Sequence, residues 1–508
     1  MGRQPSSSAA WAFALLAILS LVACGGGDTT PPPDDGAGGG DLADAVGAVP
    51  VQACVESWAQ GFQSDGCALA DGGAPPVDPE FWPDVCTPGG VGWTPSQSSF
   101  DQLSWRSFFR ASWPAKVEGE PDASKALGVQ EGGVFQPTVW EKYANAADLF
   151  GQGSASLTAE DYGSPSAVPD GCDADGPRVL SMTSKFPHTS IRAVGAALDS
   201  GDESLQSIDQ AFRGPLYPQG PGGPLYPVYY EIRINDVAYV AIVNAGAQNK
   251  SPDELNCTGS YAGDGCVPFT FPLESSEVKA AWKVLSDDEV ASGRFFYQDL
   301  QIEDPNSGAC LVKPMGLVGL HIARKVQLAN ADSRKHSWAW ATFEQVDNVP
   351  PVGSDGSGGT YSFFDPDCQP VVDAATCSAV QTPNPDPAYQ CCENLYRYAA
   401  GTVPTDPTPD QVTRLDEAPD QTQACNAVYD PLDKGVFDHY NLVVTQWPKA
   451  NDDGSGYIVT PTQARNTVLE TYFTEWDGDT QVNTSSCMGC HSGNQAVDMS
   501  YLFLGNTG

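Results

Sequence analysis

Only 17 residues follow the run Cys487-Met488-Gly489-Cys490-His491, and that placement constrains the fold more than any other feature of the chain. C-x-x-C-H is the attachment signature of a c-type haem: each thiol bonds one vinyl group of the porphyrin, and the adjoining histidine becomes the proximal iron ligand. Two intervening residues let one short turn present both sulfurs to one edge of the macrocycle. A zinc half-site would need a second cysteine or histidine pair, and a thioredoxin-like motif would need a βαβ context. The sequence offers neither. In small cytochromes c the motif opens the domain and the residues after it wrap the porphyrin. A tail this short cannot do so, and the haem is expected to pack on the body that precedes it.

The N-terminus points to an oxidising compartment, which covalent haem attachment requires. Residues 1–23 carry one early charge, Arg3, and then an apolar core from Trp11 to Ala23. That core is about half the length of a membrane-spanning helix, so it reads as a signal peptide. Its end, Leu21-Val22-Ala23-Cys24, resembles the lipobox of bacterial lipoproteins, which implies cleavage before Cys24 and acylation of that cysteine. Residues 24–50, rich in Gly, Pro and Asp, read as a disordered tether. The expected location is the bacterial cell envelope, with a lipid anchor holding a body that has no spanning helix.

Cysteine usage agrees with export. Of the 15 cysteines, Cys24, Cys487 and Cys490 are assigned, and the remaining 12 permit six disulfides. Cys257 and Cys266 bracket a Gly-rich turn and look like a local pair, as do Cys368 and Cys377. The adjacent Cys391 and Cys392 are expected to reach different partners, because a vicinal bridge is strained. With 25 basic against 64 acidic residues, the surface repels nucleic acid and anionic lipid. It suits a basic redox partner protein, or simply serves solubility.

The periodicities predict an α+β fold: a β-rich body with flanking helices, disulfide-pinned loops and a C-terminal helix leading to the haem motif. Residues 51–98 form a Cys/Gly/Pro-rich cap and residues 99–346 the body. Residues 347–432 form a disulfide-rich insertion, and 433–508 the C-terminal strand, helix and attachment segment. A helix is expected from Ser99, capped by Ser99 and Gln102, with an apolar stripe of Phe100, Leu103, Trp105, Phe108, Phe109 and Trp113. A second helical stretch covers Val139–Phe150. Val228–Ile234 and Val237–Val243 read as a hairpin about Asn235-Asp236. The twice-repeated Gly-Pro-Leu-Tyr-Pro, at 214–218 and 223–227, reads as a stiff loop. Ser276–Leu285 reads as a helix, and Phe295–Ile302, Leu317–Val326, Ser337–Val346 and Phe437–Trp447 as strands. Thr460, Pro461 and Gln463 mark the start of a last helix whose apolar face holds Ala464, Val468, Leu469, Tyr472, Phe473 and Trp476.

Candidate site residues follow. Cys487 and Cys490 hold one haem c and His491 ligates the iron. Met499 lies eight residues on, and an extended stretch of that length spans about 26 Å, enough to round the haem edge and supply a sixth ligand. His321, in the apolar strand Gly316–Ile322, is the other candidate, and an open iron position is the third possibility. Trp476, Phe473, Tyr501 and Phe503 are candidate haem walls. No nucleophile elbow, P-loop, dinucleotide fingerprint or H-E-x-x-H is present.

Taken together, Ser104-Trp105 with Trp113-Pro114, the strand Gly316–Ile322, Trp338–Pro350 (WAWATFEQVDNVP), Asn466–Tyr472 (NTVLETY) and Ser486–His491 (SCMGCH) resemble a group of large bacterial c-type cytochrome lipoproteins with a single C-terminal haem motif. The resemblance covers residues 98–508 and implies that body and haem form one unit. It brings no substrate with it. The expected function is single-electron transfer by a monohaem cytochrome. A five-coordinate haem oxidoreductase acting on peroxide or a small molecule is the alternative, and a haem-stabilised binding or sensor protein is a third.

Overall fold

The computed structural model describes residues 96–150 and, with interruptions, 156–182, 215–326, 338–366, 412–470 and 475–503. The signal peptide, tether, Cys24, most of the cap and insertion, Cys368, Cys377, Cys391, Cys392 and Cys490 lie outside the described residues.

A nine-stranded sheet organises the body. Its strands are β1 (Ala144–Asn145), β2 (Val179–Leu180), β3 (Tyr229–Ile234), β4 (Ser276–Val284), β5 (Tyr297–Glu303), β6 (Cys310–Lys325), β7 (Trp338–Gln345), β8 (Tyr440–Ala450) and β9 (Tyr457–Thr460). The main path runs β9-β8-β7-β6-β4-β3-β1, every neighbouring pair antiparallel. β6 curls the sheet by changing partners along its length. Its first half pairs with β5, from Cys310↔Glu303 to Gly316↔Tyr297, and its second half with β7, from Gly319↔Glu344 to Lys325↔Trp338. A register shift against β4 falls between Leu317 and Gly319, where the strand changes direction.

Side chains alternate across the sheet, so β6 and β7 present two unlike faces. Leu320, Ile322, Ala341 and Phe343 face α1 (Gln97–Ser112). There Phe343 stacks on Phe108 at 4.3 Å and meets Trp105 edge-on at 5.1 Å. Gly319, His321, Ala323 and Lys325, with Trp338, Trp340 and Thr342, point the other way, towards the C-terminal segments. Two further helices of eight or more residues among the described residues are α2 (Asp236–Asn244) and α3 (Asp420–Tyr429); α3 rests on α1, with Tyr429 against Trp105 at 5.2 Å. Disulfides join Cys257 to Cys266 and Cys172 to Cys310, and Cys425 is disulfide-bonded as well. No helix among the described residues is long and apolar enough to cross a membrane.

Several sequence expectations are corrected. α1 begins at Gln97 rather than Ser99, because Ser96 is the cap and its side chain accepts from the Ser99 amide. Val139–Phe150 is broken into a short 3-10 turn at Trp140–Lys142, β1, and one α-turn at Ala146–Leu149. Asn235-Asp236 is no hairpin turn: Asn235 caps α2 by accepting from the Ala238 amide at 3.1 Å. Asn and Asp suit both roles, and the buried set Ala238, Tyr239, Ile242 and Val243 carries the helical spacing that decides between them.

Ser276–Leu285 is not a helix but β4, hydrogen-bonded on both edges; tertiary pairing overrides the helical propensity of its Lys, Glu and Ala. The repeated Leu-Tyr-Pro segments pair with each other as antiparallel strands, Leu216–Pro218 with Leu225–Pro227. The last helix is replaced, over its described part, by β9 ending at Thr460, a turn around Asn466–Glu470, and a small pair of strands at Glu475–Asp477 and Thr480–Val482.

Candidate functional site

The Asn466–Glu470 turn can approach the sheet because Gly319 stands beneath it. A Cβ there would lie 2.7 Å from Val468 Cγ2 and 3.1 Å from Asn466 Oδ1, closer than packed atoms approach. Asn466 anchors the turn from both ends of its amide. Its Nδ2 donates to Thr342 Oγ1 at 3.0 Å and the Phe343 carbonyl at 2.8 Å, and its Oδ1 accepts from the Val468 and Leu469 amides. Thr467 hydrogen-bonds Glu344, which Arg414 holds at 2.8 Å, and Tyr230 donates to the Val468 carbonyl at 2.8 Å. The consequence is the placement of Glu470. The Asn466 amide donates to its Oε2 at 2.7 Å, and its Oε1 lies 3.2 Å from His321 Nε2.

His321 is therefore not an isolated core histidine. Its imidazole, the Glu470 carboxylate and the buried Cys487 thiol offer ligand atoms all within 4.8 Å of one another. The His321–Glu470 approach lacks hydrogen-bond geometry, so Nε2 has no hydrogen-bond partner among the described residues.

Cys487 and His491 each have helical backbone. His491 packs against Trp340 of β7, ring centroids 4.2 Å apart, and against Tyr501 at 4.8 Å. Its Nδ1 lies 2.8 Å from the Met499 carbonyl oxygen. A carbonyl only accepts, so Nδ1 carries the proton and Nε2 the lone pair. Burial, reinforced by the positive charge of Lys279, pushes the imidazole down to about 3, and the ring is neutral at ordinary pH.

That carbonyl is presented by an unusual turn. The amides and carbonyls of Val497 and Ser500 bond each other reciprocally at 2.9 Å, enclosing Asp498 (φ 48) and Met499 (φ 68). Two consecutive left-handed residues make a type I′ turn, a geometry that favours Asn-Gly. For a side chain such as methionine, left-handed backbone costs about 1–2 kcal/mol.

The surroundings offset this cost. Asp498 accepts from Lys325 Nζ through both oxygens, at 2.7 and 2.6 Å, and from the Phe271 amide at 2.7 Å. Its carbonyl accepts from Trp338 Nε1 at 2.9 Å. The ion pair is enclosed, with side-chain exposures of 3% for Lys325 and 0% for Asp498. Burial lowers Lys325 below the usual lysine range against the opposing pull of Asp498. Beside it, burial raises Glu277 to about 7, although a hydrogen bond with Ser500 favours its charged form.

Of the residues singled out in the sequence, Cys487, His491, Met499, His321 and Tyr501 come together here. Phe503 lies in the core nearby, edge-on to Phe150, rather than against His491. Trp476 is in a strand, and Cys490 and Phe473 fall outside the described residues. Trp340 and Glu470 lie in segments that carry the resemblance but are not among the candidate site residues, and neither are Lys325 and Asp498.

The donor chemistry of His491 fits a metal-bound imidazole such as a haem would take. A neutral imidazole has one nitrogen held by a carbonyl and the other bearing a lone pair, with aromatic rings against it. The buried Trp340 Nε1 and His321 Nε2 have no hydrogen-bond partner among the described residues, and a polar group bound nearby would satisfy such atoms. No protein-family model matches the chain, and no curated protein or solved structure matches it either.

Proposed function

We propose that the protein is a monohaem c-type cytochrome, its haem held by Cys487 and Cys490 with His491 as proximal ligand, transferring single electrons at the bacterial cell envelope. When bound, the haem supplies an iron that accepts and returns one electron. The observation that carries this reading is the Nδ1 contact of His491 with the Met499 carbonyl in an aromatic setting at a C-x-x-C-H motif. The carbonyl fixes the tautomer and orientation of the ring and leaves Nε2 available, as a metal-bound histidine requires. Trp340 and Tyr501 limit the ring's rotation and exclude water from it.

In this reading Met499 acts through its backbone. Its carbonyl sits at the Nδ1 end of His491, away from Nε2, which argues against its sulfur as the sixth ligand. Acylated Cys24 would hold the body at a membrane, and a net charge of −39 favours a basic redox partner. The test is the full chain matured with haem-ligation machinery, compared with Cys487→Ala/Cys490→Ala and His491→Ala. Covalent haem in the parent, lost in the double variant and spectrally altered in His491→Ala, supports the reading. Covalent haem unaffected by these changes contradicts it.

One observation favours a second reading. His321, Glu470 and Cys487 form a nitrogen, oxygen and sulfur set suited to zinc or a related transition metal. A thiolate committed to a metal is not a thioether, so the two readings exclude each other at Cys487. Stoichiometric zinc lost in Glu470→Gln, with no covalent haem in the parent, would establish the second reading.

A further inference from the structure

We infer that Lys325 and Asp498 are positioning residues for the proximal histidine: their buried ion pair holds the Val497–Ser500 turn in the conformation that aims the Met499 carbonyl at His491 Nδ1. The inference rests on the haem reading above and extends it to residues outside the motif. Three observations carry it.

Asp498 and Met499 are both left-handed; aspartate tolerates that backbone, but Met499 stands where such a turn favours glycine. It is over-determined from outside: Lys325 on β6, the Phe271 amide and Trp338 on β7 all bind Asp498, at 2.6 to 2.9 Å. Finally, the carbonyl so displayed is the one that meets the imidazole, at 2.8 Å. Strained backbone held by several independent bonds marks a geometry that the surrounding structure enforces. Trp338 and Trp340 share a face of β7, so the strand that braces Asp498 also packs the ring of His491.

The chain of contacts therefore runs from the sheet to the turn, and from the turn to the ring. A hydrogen bond from Nδ1 raises the basicity of a metal-bound imidazole and favours the ferric state, so its loss shifts the iron towards ferrous. Lys325→Met removes the cation, while Asp498→Asn keeps the shape and neutral hydrogen-bonding capacity but weakens the hold on Lys325. Each haem-loaded full chain is poised at the potential where the parent is half reduced, and the ferrous-to-ferric ratio is read optically. The expected result is normal covalent haem in both variants, with that ratio raised severalfold and more in Lys325→Met. An unchanged ratio in a haem-loaded variant overturns the inference while leaving the haem reading intact. A parent chain that takes no covalent haem defeats the haem reading itself.

A measurement on the parent alone guards against a variant that does not fold. Nitrogen NMR of the haem-free full chain should report His491 as the Nδ1–H tautomer in slow exchange with solvent. The Nε2–H tautomer, or a freely exchanging ring, overturns the proposal.

Discussion

The two faces of the central sheet are stabilised in different ways. On the α1 side, Phe343, Phe108 and Trp105 interlock as rings with fully buried side chains. On the opposite side, the same two strands bury His321, Lys325 and Glu344, and neighbouring β4 buries Glu277. The first face gains from dispersion and the removal of apolar surface from water. The second puts ionisable groups where each needs a partner, and adds a left-handed turn. Burying charge is seldom the cheapest route to stability, since apolar replacements often serve as well. The buried ionisable groups of the second face are held by specific partners, Lys325 by Asp498 and Glu344 by Arg414.

This contrast can be broken from either side. Phe343→Ala should have the largest effect, about 3–5 kcal/mol lost in denaturant unfolding, by leaving a cavity between α1 and the sheet. The surroundings of His491 should be unchanged in the surviving folded protein. A spectral change at the C-terminal site would mean that the faces are not independent.

Glu277 supplies a pH signature on the C-terminal face, in the same direction as that of Asp101 in α1, which burial raises to about 6. Its folded value of about 7 lies above the ordinary 4.5, so the folded state holds its proton more tightly than the unfolded chain does. Stability is thus lost as pH rises from about 4.5 through 7 and changes no further above it. Glu277→Gln should match the parent near pH 4 and exceed it by up to about 3 kcal/mol at pH 8. Parallel curves at both pH values would show that Glu277 is not the group responsible.

Gly319→Val should overpack the contact with Val468 and cost about 1–3 kcal/mol. Because Glu470 follows in the same turn, its separation from His321 should increase, as a high-resolution structure of the variant would reveal. Met499→Leu should do least. The swap nearly conserves volume, costs less than about 1.5 kcal/mol and leaves the backbone carbonyl in place. A haem-loaded Met499→Leu protein should keep the parent spectrum, and loss of a sulfur-to-iron band would restore Met499 as a ligand.

Legibility in the sequence followed the same division. Strands rich in aromatic and β-branched residues, such as Trp338–Gln345 and Tyr229–Ile234, announce themselves by composition and alternation. So does the apolar stripe of α1, and the Cys257–Cys266 pair is read from its short loop. Ser276–Val284 is missed because its Lys, Glu and Ala favour a helix, and only pairing on both edges makes it a strand. The C-terminal helix is expected from Thr460, Pro461 and Gln463, yet Thr460 closes β9 and the next described segment is a turn anchored by Asn466. The C-x-x-C-H motif is local and visible. Lys325 and Asp498 lie 173 residues apart, and no local pattern links them. The Met499 carbonyl is a backbone atom whose role depends on a turn that Asp-Met does not advertise.

The most direct test of the central claim is a denaturing-gel haem stain with an alkaline pyridine haemochrome spectrum of the full chain, produced with haem-ligation machinery. One haem per chain that survives denaturation, with the spectrum of a porphyrin whose two vinyl groups are saturated, is the predicted result. A chain that folds but carries no covalent haem would contradict the claim and turn attention to a metal ion at His321, Glu470 and Cys487.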